Sequence, residues 1–359
     1  MSILIFLAII IVLVVAHEFG HFIVAKKLGI WVQEFAFGFP PRLWSKKKGE
    51  TTYAINALPF GGYVKLYGEQ PDAPVEESMK HRSFSHSPKW KQVLVLVAGV
   101  CMNLVVAIVL FSIASMTGMQ ASSKMSFGGQ VQNAKLVVTE VITNSPAEKA
   151  GMKTGDTIIS VTNDSSRISA DSPKTVQNLV ALNNDKPLTF TVTRAGVEKT
   201  IKVVPVAKNG DTPKIGIGLD MIGTLHLKPY QAVMAGTVAT YYTTIETVQG
   251  LGQLIGKLFT GGGALDNVTG PVGLVKATKS AASFGLVYLL TFTAMISVNL
   301  AVINLVPIPA LDGGKILIIA IEKLIRRPIA PKVQMILQLV GVGLLLLLMI
   351  VVTIKDFIK

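Results

Sequence analysis

Residues 1–27 read MSILIFLAIIIVLVVAHEFGHFIVAKK, and no charged residue precedes Glu18. About 20 apolar residues of helix cross a hydrocarbon core, so this stretch predicts a membrane span. It has no basic start and no small-residue cleavage pattern, so it is expected to stay rather than be removed as a signal peptide. Two histidines and a glutamate sit toward its end, where a charge near the bilayer centre costs on the order of 3 kcal/mol and polar groups mark a functional interior.

Three further stretches, 93–117, 285–306 and 334–354, are long and apolar enough to span. The chain of 359 residues is 50% hydrophobic and 15% charged. The expected fold is therefore a polytopic α-helical membrane protein with four transmembrane helices. A formal charge of +13 would suit nucleic acid, but basic residues cluster in two short loops; the long region between spans two and three is also lysine-rich, yet long domains cross largely regardless of charge. Lys26, Lys27, Arg42, Lys46, Lys47, Lys48, Lys65, Lys80, Arg82, Lys89 and Lys91 follow the first span, and Lys315, Lys323, Arg326, Arg327 and Lys332 follow the third. Under the positive-inside rule both loops are cytoplasmic, and both termini and the region between spans two and three are extracytoplasmic. The single cysteine, Cys101, excludes an internal disulfide and any multi-cysteine metal site.

Between the first two spans, TTYAINALPFGGYVKLYG (51–68) alternates apolar residues on either side of Pro59–Gly62 and predicts a membrane-associated β-hairpin, followed by an exposed loop over 69–89. Residues 128–210 alternate strand-like runs with one helical stretch, SPKTVQNLVALN, and predict a small α+β domain. The string from Asn144 to Val161, NSPAEKAGMKTGDTIISV, resembles the PDZ pattern, with Ser145 as helix cap and Gly151 as helix end. Residues 229–259 are helical but carry threonines, tyrosines and Glu246, and are read as a membrane-lying helix. The organisation is thus 1–118 as the first half of a membrane core, 119–215 as the outer domain, 216–283 as the membrane-lying region and 284–359 as the second half of the core.

His17-Glu18-Phe19-Gly20-His21 is an H-E-x-x-H motif. Its histidines, four apart on a helix, share one face and can grip one Zn²⁺. A catalytic zinc keeps a position open for water, whose pKa it lowers to about 7, and Glu18 is placed to take the proton. A polar helix–helix contact is the weaker reading. His81, His86 and His226 lack ligand spacing and are expected at the surface. For a third ligand, NLAVINLVPIPALDGG (299–314) supplies Asp312 after two helix-breaking prolines. Taken alone, Asp312 would be a helix N-cap. Depth favours the metal, because the first and third spans run in the same direction and bring His17, His21 and Asp312 to one level.

Together these pieces resemble the site-2 proteases, intramembrane zinc metalloproteases, of the bacterial regulator-of-sigma-E-protease type with one PDZ domain. The resemblance rests on HEFGH, ALPFGGYVKL, the PDZ-like string, Gly270-Pro271-Val272-Gly273 and NLVPIPALDGG. It implies Zn²⁺ held by His17, His21 and Asp312, and Glu18 as general base. It implies a hairpin edge near Gly62, Tyr63 and Val64 that pairs with extended substrate, and Asn304 contacting the substrate backbone or developing oxyanion. The family commonly has proline where this chain has Val100, which leaves the role of Asn103 open. Implied partners are the bilayer and single-span membrane proteins already trimmed on their outer side, such as anti-sigma factors or remnant signal peptides, at a bacterial inner membrane. No nucleotide site is expected, since GLGQLIGKL (250–258) lacks P-loop spacing. The alternative class is a non-enzymatic zinc-binding scaffold or transporter.

Overall fold

The computed structural model describes residues 2–70, 74–123, 131–163, 166–194, 196–207, 212–260 and 269–358. Parts of the expected 69–89 loop, the outer domain and the 216–283 region fall outside the described residues. Two compact units result, one from residues 1–114 with 233–359 and one from residues 115–232.

In the first unit, helices α1 (Ser2–Lys27), α2 (Lys89–Thr117), α7 (Leu286–Asn304) and α9 (Pro331–Ile358) are, among the described residues, the four long and apolar enough to cross a membrane. They are the four stretches expected. Their apolar residues divide between neighbours and periphery. Leu13 and Ile9 of α1 pack on Ile296 of α7, and Ala107 and Phe111 of α2 pack on Ala294 and Val298 of the same helix. Much of α9 is exposed apolar surface, from Leu339 to Ile354, the composition of a helix solvated by lipid rather than water. Helix α8 (Asp312–Ile325) is fixed from below by buried Glu322. That carboxylate pairs with Lys89 of α2 and accepts from Ile329 N and Gln334 Nε2, each at 3.0 Å.

The hairpin differs from the expectation. Its strands are β1 (Val32–Lys48) and β2 (Thr51–Leu66), and the reversal lies at Gly49–Glu50 rather than Pro59–Gly62. The register shows four arms. Lys48 to Arg42 pair with Thr51 to Asn56, as a hairpin does, but Glu34 to Phe37 also pair with Thr52 to Ile55 on one side and with Lys65 to Gly62 on the other. The two arms of TTYAINALPFGGYVKL therefore never pair with each other; the first half of β1 lies between them. Alternation reports which residues face a core, not which strand is the neighbour. The loop after β2 is less exposed than expected, since Phe84, Ser83 and Ser87 are buried.

Helix α5 (Pro229–Thr260) is the helix expected over 229–259. It touches α2 and α7. Gly236 abuts Ser112, Ala239 and Leu251 pack against the Ala107–Phe111–Val298 cluster, and Thr247 Oγ1 lies 2.8 Å from Asn299 Oδ1. Its threonine hydroxyls at 237, 240 and 244 donate to carbonyls four residues back, so none of these donors is left unsatisfied. Helix α6 (Pro271–Ser283) is capped by Asp356 of α9, which accepts from Gly273 N at 2.8 Å and Gly270 N at 3.3 Å.

The second unit is a sheet of strand order β3-β9-β4-β5-β7-β8, with β6 beside β5. Its strands are β3 (Met119–Ser122), β4 (Val131–Val141), β5 (Thr157–Thr162), β6 (Arg167–Ser169), β7 (Leu188–Arg194), β8 (Val197–Val203) and β9 (Ile217–Leu225). Alternate residues Leu188, Phe190 and Val192 are fully buried and pack with Val176 and Val180 of α4 (Pro173–Leu182). Short helix α3 (Pro146–Lys149) begins where the sequence places it. Ser145 Oγ accepts from Glu148 N at 3.2 Å, and Gly151, at φ +84°, ends it. Buried Asp156 closes the following turn, accepting from Lys153 N and from both Nε and Nη2 of Arg194.

Candidate metal centre

Helices α1 and α2 cross where neither has a side chain. A Cβ on Gly20 would lie 2.3 Å from Ala98 O, and one on Gly99 would lie 2.4 Å from His21 Nε2. The glycines thus create the slot that holds the His17 and His21 rings, both buried. α2 runs unbroken through Val100, as a residue with a free N–H allows.

His21 Nδ1 donates to Val95 O at 2.7 Å. In the neutral imidazole that leaves the lone pair on Nε2. His21 Nε2 is 3.1 Å from His17 Nε2 and 3.3 Å from Asp312 Oδ2, and His17 Nε2 is 3.0 Å from the same oxygen. Lone pairs facing one another at these distances repel unless a cation or proton lies among them. Zinc bonds of about 2.0–2.1 Å in a tetrahedron give ligand–ligand edges of about 3.3 Å, close to all three separations. The donor set, two imidazole nitrogens and one carboxylate oxygen, fits Zn²⁺, and among the described residues it is the one group of three such ligands gathered this closely.

Asp312 reaches this point because of what precedes it. The segment after α7, Leu305–Leu311 with Pro307 and Pro309, leaves the helix, and α8 restarts hard against it. A Cβ on Gly314 would lie 2.1 Å from Ile308 O. Asp312 is the first residue of α8; the N-cap is Leu311, with no side-chain cap. Its carboxylate is turned to the histidines instead of to the helix end.

A cavity of about 430 Å³ opens on this cluster, lined by Glu18, Tyr63, Val64 and Asn304 beside the three ligand candidates. Asn304 Nδ2 lies 3.5 Å from His17 Nε2. Gly62 backs onto Glu18, with a would-be Cβ 3.7 Å from Glu18 Cγ. The arm Gly62–Lys65 of β2 has β1 on one side and, among the described residues, no strand on the other, so a free sheet edge borders the cavity. The structure therefore gathers every residue the sequence singled out for the site. His81, His86 and His226 are exposed.

Two groups were given no site role by the sequence reading. Lys315, counted among orienting charges, lines the cavity and pairs with Glu69 just beyond β2 at 2.7 Å. Its signal was the spacing of three from Asp312, which puts both on one face of α8. Asn103 of α2, buried to 1% exposure, also lines the cavity.

The family model for peptidase family M50 matches residues 5–348. The zinc metalloprotease RasP of Geobacillus kaustophilus (strain HTA426) is 29% identical over 432 aligned positions, covering 100% of this chain and 98% of that protein. A putative zinc metalloprotease of Clostridium perfringens (strain 13 / Type A) is 35% identical over 347 positions, covering 96% and 95%. The regulator of sigma-W protease RasP of Bacillus subtilis (strain 168) is 28% identical over 432 positions, covering 99% and 98%.

Proposed function

The chain belongs to peptidase family M50 and is a membrane-embedded zinc metalloprotease of the site-2 type, and from that premise we propose that it hydrolyses a peptide bond within the transmembrane segment of another membrane protein, with His17, His21 and Asp312 as the zinc ligands. The observation that carries this reading is the convergence of two nitrogens and one oxygen within 3.0–3.3 Å, at a cavity bordered by a free strand edge and lined by two further carboxylates, of which Glu69 is paired with Lys315 and Glu18 is not. When bound, zinc supplies Lewis acidity and makes water nucleophilic near neutral pH.

The chain's own residues do the rest. A helical peptide bond is shielded, so the substrate segment unwinds and adds as a strand to the edge at Gly62–Val64, which leaves its backbone open to attack. Glu18 takes a proton from the attacking water as its oxygen bonds to the carbonyl carbon. The C–N bond breaks, and Glu18 passes that proton to the departing nitrogen, giving a carboxylic acid and an amine. Asn304 Nδ2 donates to the carbonyl oxygen as negative charge builds. Val95 O keeps His21 in its ligating tautomer.

The basic loops and hairpin lie on the cytoplasmic side and the PDZ-like unit on the outer side of a bacterial inner membrane. There that unit screens substrates for prior trimming, which suits anti-sigma factors and remnant signal peptides. The test uses purified protein in liposomes with a single-span substrate lacking its outer domain. Wild type is expected to cleave and a chelated sample to recover activity with zinc. Glu18→Gln should bind zinc stoichiometrically without turnover. Cleavage by Glu18→Gln at the wild-type rate would sink the assignment, and intact substrate with zinc bound would favour a scaffold or transporter.

A further inference from the structure

A strand that adds to β2 satisfies one of its two edges; the other edge still carries N–H and C=O groups, and in a buried cavity each unpaired group costs about 1–3 kcal/mol. The α2 wall of the cavity holds one group matched to that need. Asn103 lies one helical turn beyond Gly99, the residue against which the histidine rings rest, so it presents the same helix face. Its backbone carbonyl accepts from Ser297 Oγ at 2.7 Å, which fixes it to α7, the helix that also carries Asn304. Its side chain behaves differently. With 1% exposure, neither Nδ2 nor Oδ1 has a protein partner, whereas the other buried, incompletely paired carboxamide, Asn56, still donates to Gly38 O. A residue present to join helices would have its amide paired across the interface.

We propose that Asn103 is a substrate-binding residue, whose carboxamide donates to the carbonyl and accepts from the N–H of one residue on the substrate edge that β2 leaves open. In an extended strand these two groups of a single residue point the same way, and a carboxamide offers one donor and one acceptor in the matching plane. This rests on the strand-addition reading above and adds a second contact to it.

The experiment measures cleavage of the single-span substrate, and binding of the same substrate to the inactive Glu18→Gln protein, with and without Asn103→Leu, an apolar replacement of nearly equal volume. In the active protein Asn103→Leu should lower kcat/KM at least tenfold. In the Glu18→Gln background it should weaken binding about tenfold, with zinc content unchanged and the thermal midpoint equal or higher. A depsipeptide substrate with the contacted N–H replaced by oxygen should lose affinity for the protein carrying Asn103 but not further for Asn103→Leu. Binding and kcat/KM within twofold of the parent would overturn the proposal. So would a joint fall in thermal midpoint and zinc content, which would make Asn103 a helix-packing residue. The strand-addition reading fails separately: a wild type whose cleavage does not respond to disrupting the Gly62–Val64 edge refutes that reading whatever Asn103→Leu does.

Discussion

Two buried aspartates, one in each unit, are held in opposite ways. Asp156 has both oxygens closed by hydrogen-bond donors: Oδ1 by Arg194 Nε at 2.6 Å, Oδ2 by Arg194 Nη2 at 2.7 Å and Lys153 N at 2.9 Å. Asp312 turns a single oxygen to the Nε2 atoms of two histidines, and the ring of His21 already has its N–H, on Nδ1, committed to a backbone carbonyl. Burial of a carboxylate is therefore uninformative by itself. A guanidinium and a peptide N–H complete a turn, while two bases and an anion without donors invite a cation.

Substitutions should separate the two cases. Asp312→Asn removes the proposed anionic ligand and is expected to abolish stoichiometric zinc and lower turnover at least ~10³-fold, read by metal analysis and substrate cleavage. Asp156→Asn should leave zinc in place and instead destabilise the strand-rich unit by about 3 kcal/mol. Hydrogen exchange across residues 131–225 of the full-length protein would show this.

The same carboxylate gives a pH signature. Burial alone would push Asp156 up, but Arg194 and the Lys153 N–H outweigh it and hold its carboxyl below the usual carboxylate range. A folded pKa below the unfolded one means stabilisation that is complete above about pH 4 and declines as pH falls through the folded value. Exchange protection of this unit should accordingly fall in acid in the wild type and less so in Asp156→Asn.

Smaller effects probe the surroundings of Asp312. Gly99→Ala drives a methyl into His21 Nε2 and should weaken zinc about 10–100-fold in a chelator competition without unfolding α2. Lys315→Met breaks a partly exposed pair with Glu69 and should cost no more than about 1 kcal/mol, measured as a shift in thermal midpoint. A large loss of zinc there would mean that Lys315 supports Asp312 directly.

All four spans and the H-E-x-x-H face were legible in the sequence, because hydrophobic length and a spacing of four are local properties. Asp312 was legible only through topology, since its spacing alone also fits a helix cap. The hairpin's true pairing was not, because Glu34–Phe37 inserts between two arms that are neighbours in sequence. Helix α5 was legible as a helix, but not the bonding of its threonine hydroxyls back along it. Asn103 stood in an apolar span with nothing to show whether its amide was paired.

The site's first and last contributors are 295 residues apart, His17 near the start and Asp312 near the end of the chain. A ribosome making this protein releases the histidines early and the aspartate only after α7 has been made. Until then the nascent chain holds an incomplete site in a membrane crowded with other hydrophobic segments. The three candidate ligands thus cannot meet before most of the helices around them have been made.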